Sequence, residues 1–248
     1  PLVHGHGALT AANGFRDQAE VLVKTRFAAD RVGATKMDRP EWVAVNEKTR
    51  EVDVTLTNNS ERGAAGKPGT DAANPRAGNQ LGQIVRWRET NDDPAATTFS
   101  WDMLALAGDP GAADPAWKGS FAGDAFANPD GVRFDPAGRL WVMTDVSPSR
   151  LNKGEFQRFG NNQMLAFDPA TRSFRRFLTG PIGCEITGLA FTPDGRTAFI
   201  NIQHPGEVGG EANGPRDPRR FSNWPDYRPD GRPRSATVVI QRANGDVI

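Results

Sequence analysis

Three acidic residues and one arginine stand near the starts of three sequence segments that resemble one another. They are Arg39 and Glu41 in the first segment, Asp130 in the second and Glu185 in the third. Carboxylates that a fold brings together repel one another at neutral pH and need a compensating cation. Oxygen-ligated ions such as Ca²⁺ meet that need, and an arginine beside them offers a planar donor fork to a phosphate or carboxylate. The pattern supports a metal and anion site; the alternative is that each carboxylate caps a turn or pairs with a neighbouring arginine.

Other residues give weaker chemical signals. His4 and His6 have a spacing that can bind metal from one face of a strand, but the flanking glycines favour an exposed loop. His204 stands alone before a proline and is interpreted as a loop residue. Cys184, the single cysteine, is interpreted as a small buried hydrophobic side chain, and it excludes an internal disulfide.

Those residues need elements that position them, and the three segments share a pattern that supplies such elements. Residues 39–58, 128–145 and 185–203 each contain a short apolar strand, a turn and a second strand. The alignment makes two sets of positions equivalent, namely Arg39, Asn128 and Glu185, and Glu41, Asp130 and Thr187. Further strand-like runs follow each pair, which predicts units of up to four antiparallel strands.

Repeated units of this kind are typical of β-propeller blades. We therefore predict an all-β fold with about three blades, at residues 38–107, 128–181 and 185–248. The first strand of each blade lines the central channel, so the residues at its start crowd around one mouth. Closed propellers have four to eight blades, and the chain begins without Met, so we expect residues 1–248 to be part of a larger propeller domain.

The N-terminal region has a different period. Apolar residues from Phe15 to Phe27, including Ala19, Leu22 and Val23, recur at helical spacing and predict one helical segment over residues 14–33. The long segment 58–80 is rich in Gly, Ala, Asn and Pro and is interpreted as a loop with little to bury.

Composition excludes several functional classes. The 30 Lys and Arg balance 30 Asp and Glu, which gives no electrostatic reason to expect a nucleic-acid partner. No apolar run approaches the roughly 18 residues of a membrane span. The 27 Gly and 19 Pro indicate short strands joined by turns.

Four stretches carry a family resemblance. They are GATKMDRPEW (residues 33–42), GNQLGQIVRW (78–87), NPDGVRFDPAGRLWVMTD (128–145) and GCEITGLAFTPDG (183–195), and they resemble the PhoX-type alkaline phosphatases. The resemblance runs through the whole chain and implies the C-terminal portion of a six-bladed propeller enzyme. It also implies a cluster of Ca²⁺ and Fe³⁺ ions, export by a twin-arginine signal to the periplasm or beyond, and hydrolysis of phosphomonoesters, with diesters possible at the same site. We expect the full-length protein to be monomeric.

The resemblance also implies roles for individual residues. Arg39 matches the phosphate-contacting arginine and would be both substrate-binding and catalytic, whereas Glu41, Asp130 and Glu185 match metal-ligating carboxylates. Cys184 does not match the iron-ligating cysteine of the family, so most iron ligands are expected outside this chain. Two competing hypotheses are a non-catalytic propeller that binds calcium or a partner protein, and a lactonase-type propeller hydrolase that uses one calcium ion and no neighbouring arginine.

Overall fold

The computed structural model describes residues 1–208, 217 and 219–248. The chain divides into two compact units, residues 1–37 and residues 38–248. The first unit is helical and the second consists of β-sheets and turns, so the fold is mostly β, as predicted. Within the described residues no helix is long and apolar enough to cross a membrane.

The first unit contains two short helices where the sequence predicts one segment over residues 14–33. A 3₁₀ turn, Ala11–Asn13, precedes α1 (Gln18–Val23) and α2 (Thr25–Arg31). α1 begins late because the Asp17 carboxylate accepts a hydrogen bond from the Glu20 backbone N–H at 2.9 Å, which is an N-cap. Lys24 is non-helical and separates the two helices, so the side chains of α2 do not continue the 3.6-residue repeat of α1. Of the predicted apolar face, Phe15 is buried, but Leu22, Val23 and Phe27 are exposed, so that part of the prediction is wrong. Val21 and Ala28 are buried in their place.

The described part of the second unit forms three sheets. The first has four antiparallel strands in chain order: β1 (Pro40–Val45), β2 (Val52–Leu56), β3 (Gln83–Glu89) and β4 (Phe99–Leu106). The second contains the short strand β5 (Ala122–Gly123) and then β6 (Pro129–Phe134), β7 (Leu140–Thr144), β8 (Gln163–Asp168) and β9 (Ser173–Thr179), with β5 parallel to β9. The third has β10 (Glu185–Phe191), β11 (Thr197–Gln203) and β12 (Ala236–Gln241).

The first two strands of the second and third sheets are joined by the turns that the sequence predicts. In the second sheet, Asp135 accepts a hydrogen bond from the Arg139 backbone N–H at 2.8 Å, and Gly138 supplies the positive φ of 85° that the turn requires. In the third sheet, Asp194 accepts from the Arg196 N–H at 3.0 Å. These short connections fix the register of each strand pair.

The first strands of the three sheets lie side by side, with β6 next to both β1 and β10. One hydrophobic cluster joins the first and second sheets and includes Ile84, Leu104, Phe126 and Val142. A second cluster joins the second and third sheets around Trp141, which is 1% exposed. The starts of β1, β6 and β10 are thereby held close together.

A β-bulge recurs near the start of the first strand in every sheet. The register shifts between Pro40 and Val43, between Pro129 and Val132, and between Thr187 and Ala190. These shifts match Arg39 with Asn128 and Glu41 with Asp130, as the sequence alignment predicts. The third segment is offset by one residue, so its predicted alignment is wrong: Glu185 corresponds to Asp38, and Gly188 corresponds to Glu41.

Candidate functional site

Carboxylates from all three sheets influence one another at the starts of the first strands. Asp130 is 9% exposed, and burial raises its pKa to about 7, with further contributions from the charges of Glu41, Glu185 and Asp145. Coupling of this kind requires the four carboxylates to lie near one another. We refer to Glu41, Asp130, Asp145 and Glu185 as the acidic cluster. Three of its members are the metal ligands that the sequence suggests.

Asp145 is the member that the sequence analysis missed. It follows β7, and its backbone N–H donates to the carbonyl of Asn128 at 3.0 Å, which places it next to the start of β6. Burial raises the pKa of Asp145, and the charges of His204 and Arg39 oppose that shift. Asp145 is the last residue of the second repeat, at the end of its second strand, whereas the other three carboxylates stand near the starts of first strands.

Arg39 lies beside the acidic cluster with its guanidinium open to solvent. Its NH1 donates to the Asn58 side-chain oxygen at 2.9 Å, and its NH2 lies 3.7 Å from the Glu41 carboxylate. The side chain is 59% exposed, so the pair contributes little to stability. Arg39 has φ of 51°, in the left-handed region that a non-glycine residue enters at a cost. The 3.7 Å contact puts the Arg39 guanidinium on the side of Glu41, and its exposed part faces solvent, where an anion can reach it.

The third sheet contributes Glu185 with a partner that the sequence did not suggest. Glu185 accepts a hydrogen bond from the Gln203 side chain at 2.9 Å and lies 3.7 Å from the His204 Nε2. The other ring nitrogen, Nδ1, is 3.0 Å from the Glu207 carboxylate and 3.0 Å from the Gly183 carbonyl. Burial raises the pKa of Glu185, and Asp145 adds to the shift while His204 opposes it. His204 therefore contacts the acidic cluster and is not isolated, although it lies in a loop, as the sequence predicts.

The donor chemistry of the cluster fits a hard cation. Its side chains offer carboxylate oxygens, and the buried side-chain oxygen of Asn128 has no hydrogen-bond partner within the part of the chain that the structure describes. Ca²⁺ takes six to eight oxygen ligands of this kind. The same described residues contain no group of three or more His, Cys, Asp or Glu close enough to hold a metal ion. The residues therefore fit calcium by ligand type, without forming a complete coordination shell.

The remaining candidates lie outside this cluster. Cys184 is 1% exposed, and burial raises the pKa of its thiol to about 12, so it is a packing residue, as predicted. His4 and His6 are exposed in the first unit, and the His4 backbone N–H donates to the Gln18 side chain at 2.8 Å.

The chain is similar to one protein family over most of its length. The family model for alkaline phosphatase PhoX matches residues 1–206. A solved structure of Pseudomonas fluorescens PhoX in complex with vanadate, a transition state analogue, is 48% identical over 100% of this chain and 41% of that chain, with a TM-score of 0.88. The chain thus spans about two fifths of that protein.

Two further results are less informative. A gluconolactonase structure from Xanthomonas campestris shares 17% identity over 70% of this chain and 57% of that chain, and its TM-score of 0.32 is too low to support any conclusion. No match was found among curated proteins.

Proposed function

The chain belongs to the PhoX alkaline phosphatase family, and on that premise we propose that it is part of a longer metal-dependent phosphomonoesterase. The observation that carries the proposal is the exposed guanidinium of Arg39, held 3.7 Å from a carboxylate of the acidic cluster. Cation-binding carboxylates beside an open arginine are suited to a phosphate group, which carries its charge on several oxygens.

We propose further that the three sheets are three blades of a six-bladed propeller. The support is the side-by-side arrangement of β1, β6 and β10 and the bulge that recurs in each. The extent of the matched structure leaves room for the remaining blades, because this chain covers 41% of it.

Arg39 would bind the phosphoryl group and stabilise the charge that develops on its equatorial oxygens. Asn58 would keep the guanidinium turned toward the substrate. Glu41, Asp130 and Glu185, together with Asp145, would hold calcium ions, while most ligands to iron would come from outside this chain. When bound, these ions would supply electrostatic stabilisation of the phosphate oxygens.

The same family membership supports proposals on substrate and location. The substrates would be small phosphomonoesters, with diesters as a secondary class, and the full-length enzyme would act as a monomer in the periplasm or outside the cell. Of the competing hypotheses, the lactonase-type hydrolase predicts no arginine beside its ion. The 3.7 Å approach of Arg39 to Glu41 argues against it.

The test uses the full-length protein that contains this chain. Metal analysis of the purified protein should find calcium and iron, and an assay with p-nitrophenyl phosphate should show turnover that a calcium chelator removes and added calcium restores. Calcium binding without phosphate release would favour the non-catalytic propeller. Lactone hydrolysis without phosphate release would favour the lactonase-type alternative.

A further inference from the structure

A buried carboxylate directly precedes Arg39 in the chain. Asp38 is 0% exposed, and one of its oxygens accepts hydrogen bonds from the Arg62 Nε at 2.8 Å and from the Asn59 side chain at 2.9 Å. The second oxygen accepts from the Asn79 side chain at 3.0 Å. The Asp38 backbone N–H donates to the Asn74 side chain at 2.9 Å. A carboxylate bonded on both oxygens and on its backbone has little freedom to move.

The partner of this carboxylate is a buried arginine from the segment 58–80. The Arg62 side chain is 1% exposed, its NH2 lies 2.7 Å from Asp38, and its NH1 donates to the Gly69 carbonyl at 3.0 Å. The sequence predicted that segment 58–80 has little to bury. The segment nevertheless contributes Arg62 to a buried ion pair with Asp38. Burying such a pair costs free energy unless its geometry and hydrogen bonds are good, so the pair is weak evidence for stability and is compatible with a role in fixing local geometry.

The network holds Arg39 at two points. Asp38 fixes the backbone that enters Arg39, whose φ of 51° would relax without an external constraint. Asn59, which donates to Asp38, directly follows Asn58, whose side chain accepts from the Arg39 guanidinium at 2.9 Å. One carboxylate thus links the main chain of Arg39 to the group that orients its side chain.

We propose that Asp38, Asn59 and Arg62 are positioning residues for Arg39, which they aim at the substrate without touching it. The inference rests on the proposed function, in which Arg39 binds the phosphoryl group of the substrate. It adds that the segment 58–80 is part of the catalytic apparatus of the enzyme.

The experiment compares two conservative variants with a matched control in the full-length enzyme. Arg62→Lys keeps the buried charge but loses the planar fork. Asn59→Ala removes the hydrogen bond to Asp38, and a second one that its side chain accepts from the Glu61 backbone N–H, while leaving the ion pair intact. The control is Arg86→Lys, since Arg86 forms a buried pair with Asp53 in the same first sheet, at 2.8 and 2.9 Å, away from the acidic cluster. Each variant is made in the wild-type background and in an Arg39→Ala background.

A positioning role predicts a specific non-additivity in kcat/KM. Arg62→Lys should lower kcat/KM by about 10- to 100-fold, as misplacement of a catalytic group does, and Asn59→Ala by about 3- to 10-fold. Both effects should vanish in the Arg39→Ala background, whereas Arg86→Lys should leave kcat/KM within about twofold of its parent, as expected of a residue remote from the chemistry.

Three results would overturn the inference. A loss that persists in the Arg39→Ala background shows that the network acts elsewhere, and a loss matched by Arg86→Lys shows a general effect on the fold. Wild-type protein that releases no phosphate overturns the proposed function itself, and with it the inference. If Arg62→Lys fails to fold, Asn59→Ala decides the question alone.

Discussion

The two ends of the acidic cluster are supported in different ways. At the first sheet, Arg39 rests on the buried network of Asp38 and Arg62, whose side chains are 0% and 1% exposed. At the third sheet, Glu185 is half-buried and contacts His204, whose side chain is 30% exposed and whose second partner, Glu207, is 56% exposed. One end is fixed by the interior, and the other depends on side chains that reach into solvent.

The proposed function explains this difference, because Arg39 would bind a phosphate group and Glu185 would bind calcium. A guanidinium that meets a phosphate in two parallel hydrogen bonds needs a fixed direction, because misalignment loses both bonds. Calcium accepts irregular geometry and variable ligand number, so a carboxylate that ligates it can be held loosely. We therefore expect damage at the first sheet to affect folding and turnover strongly, and damage at the third sheet to be graded.

The largest effect should come from removing the buried carboxylate. Asp38→Ala removes the carboxylate that lies 2.7 Å from the buried Arg62 guanidinium, while Asp71 stays 3.9 Å away, and should lower the free energy of unfolding by about 3–5 kcal/mol. Urea unfolding of the full-length protein, followed by circular dichroism, measures the change. The matched control is Asp92→Ala, because Asp92 forms an exposed pair with Arg88 in the same part of the chain. Equal midpoints for the two variants would show that the buried network does not stabilise the fold.

The next effect is on catalysis alone. Arg39→Ala should lower kcat/KM by about 10²-fold, the usual loss for one transition-state donor, while calcium content and melting temperature stay at wild-type values. Arg39→Lys should recover only part of the loss because a lysine has no bidentate fork. Steady-state kinetics and metal analysis on the same samples separate the two roles. Loss of metal with unchanged turnover per remaining site would make Arg39 a counter-charge to the acidic cluster.

A third change tests Glu41, the proposed metal ligand that lies 3.7 Å from Arg39. Glu41→Gln keeps the size of the side chain and removes its charge, so calcium affinity and activity should fall together by at least about tenfold. Calcium titration of activity measures both. Gln203→Ala is the matched control, since Gln203 donates a hydrogen bond to Glu185 but has no negative charge to attract calcium. Unchanged calcium dependence in the Glu41 variant would reduce Glu41 to a structural partner of Arg39.

The sequence predicted most of the strands and named Arg39 and three of the four members of the acidic cluster. Alternating apolar residues, and the DPAGR and TPDGR turns of the second and third sheets, are local signals, so the strand pairs could be read from them. The one-residue offset of the third repeat at Glu185 could not be predicted. It arises from the position of the β-bulge, which has no clear signature in the sequence. Gly188, with φ of 67° at that bulge, was the available hint.

The missed residues depend on contacts between distant segments. Arg62 lies in a stretch whose composition is typical of an exposed loop, and only the buried position of Asp38, 24 residues earlier, explains it. His204 follows β11 and reaches the site because β10 and β11 pair from Glu185 to Gln203. Neither relation is periodic, so a search for repeats does not detect it.

The smallest predicted effect concerns that histidine and sharpens the contrast between the two ends. His204 lies 3.7 Å from Glu185, and both groups are partly solvated, so His204→Gln should change calcium affinity by no more than about fivefold, the range of an exposed ion pair. The change stays small because losing a contact that positions Glu185 weakens binding, whereas losing a charge that repels the cation strengthens it. Glutamine keeps a donor near Glu185 but cannot carry a positive charge. Isothermal titration with calcium measures the change, and His6→Gln serves as the control because His6 lies in the first unit, outside the acidic cluster. A loss as large as that of Glu41→Gln would show that the third sheet holds its ligand as rigidly as the first holds Arg39. The contrast between a fixed arginine and an adaptable carboxylate would then be wrong.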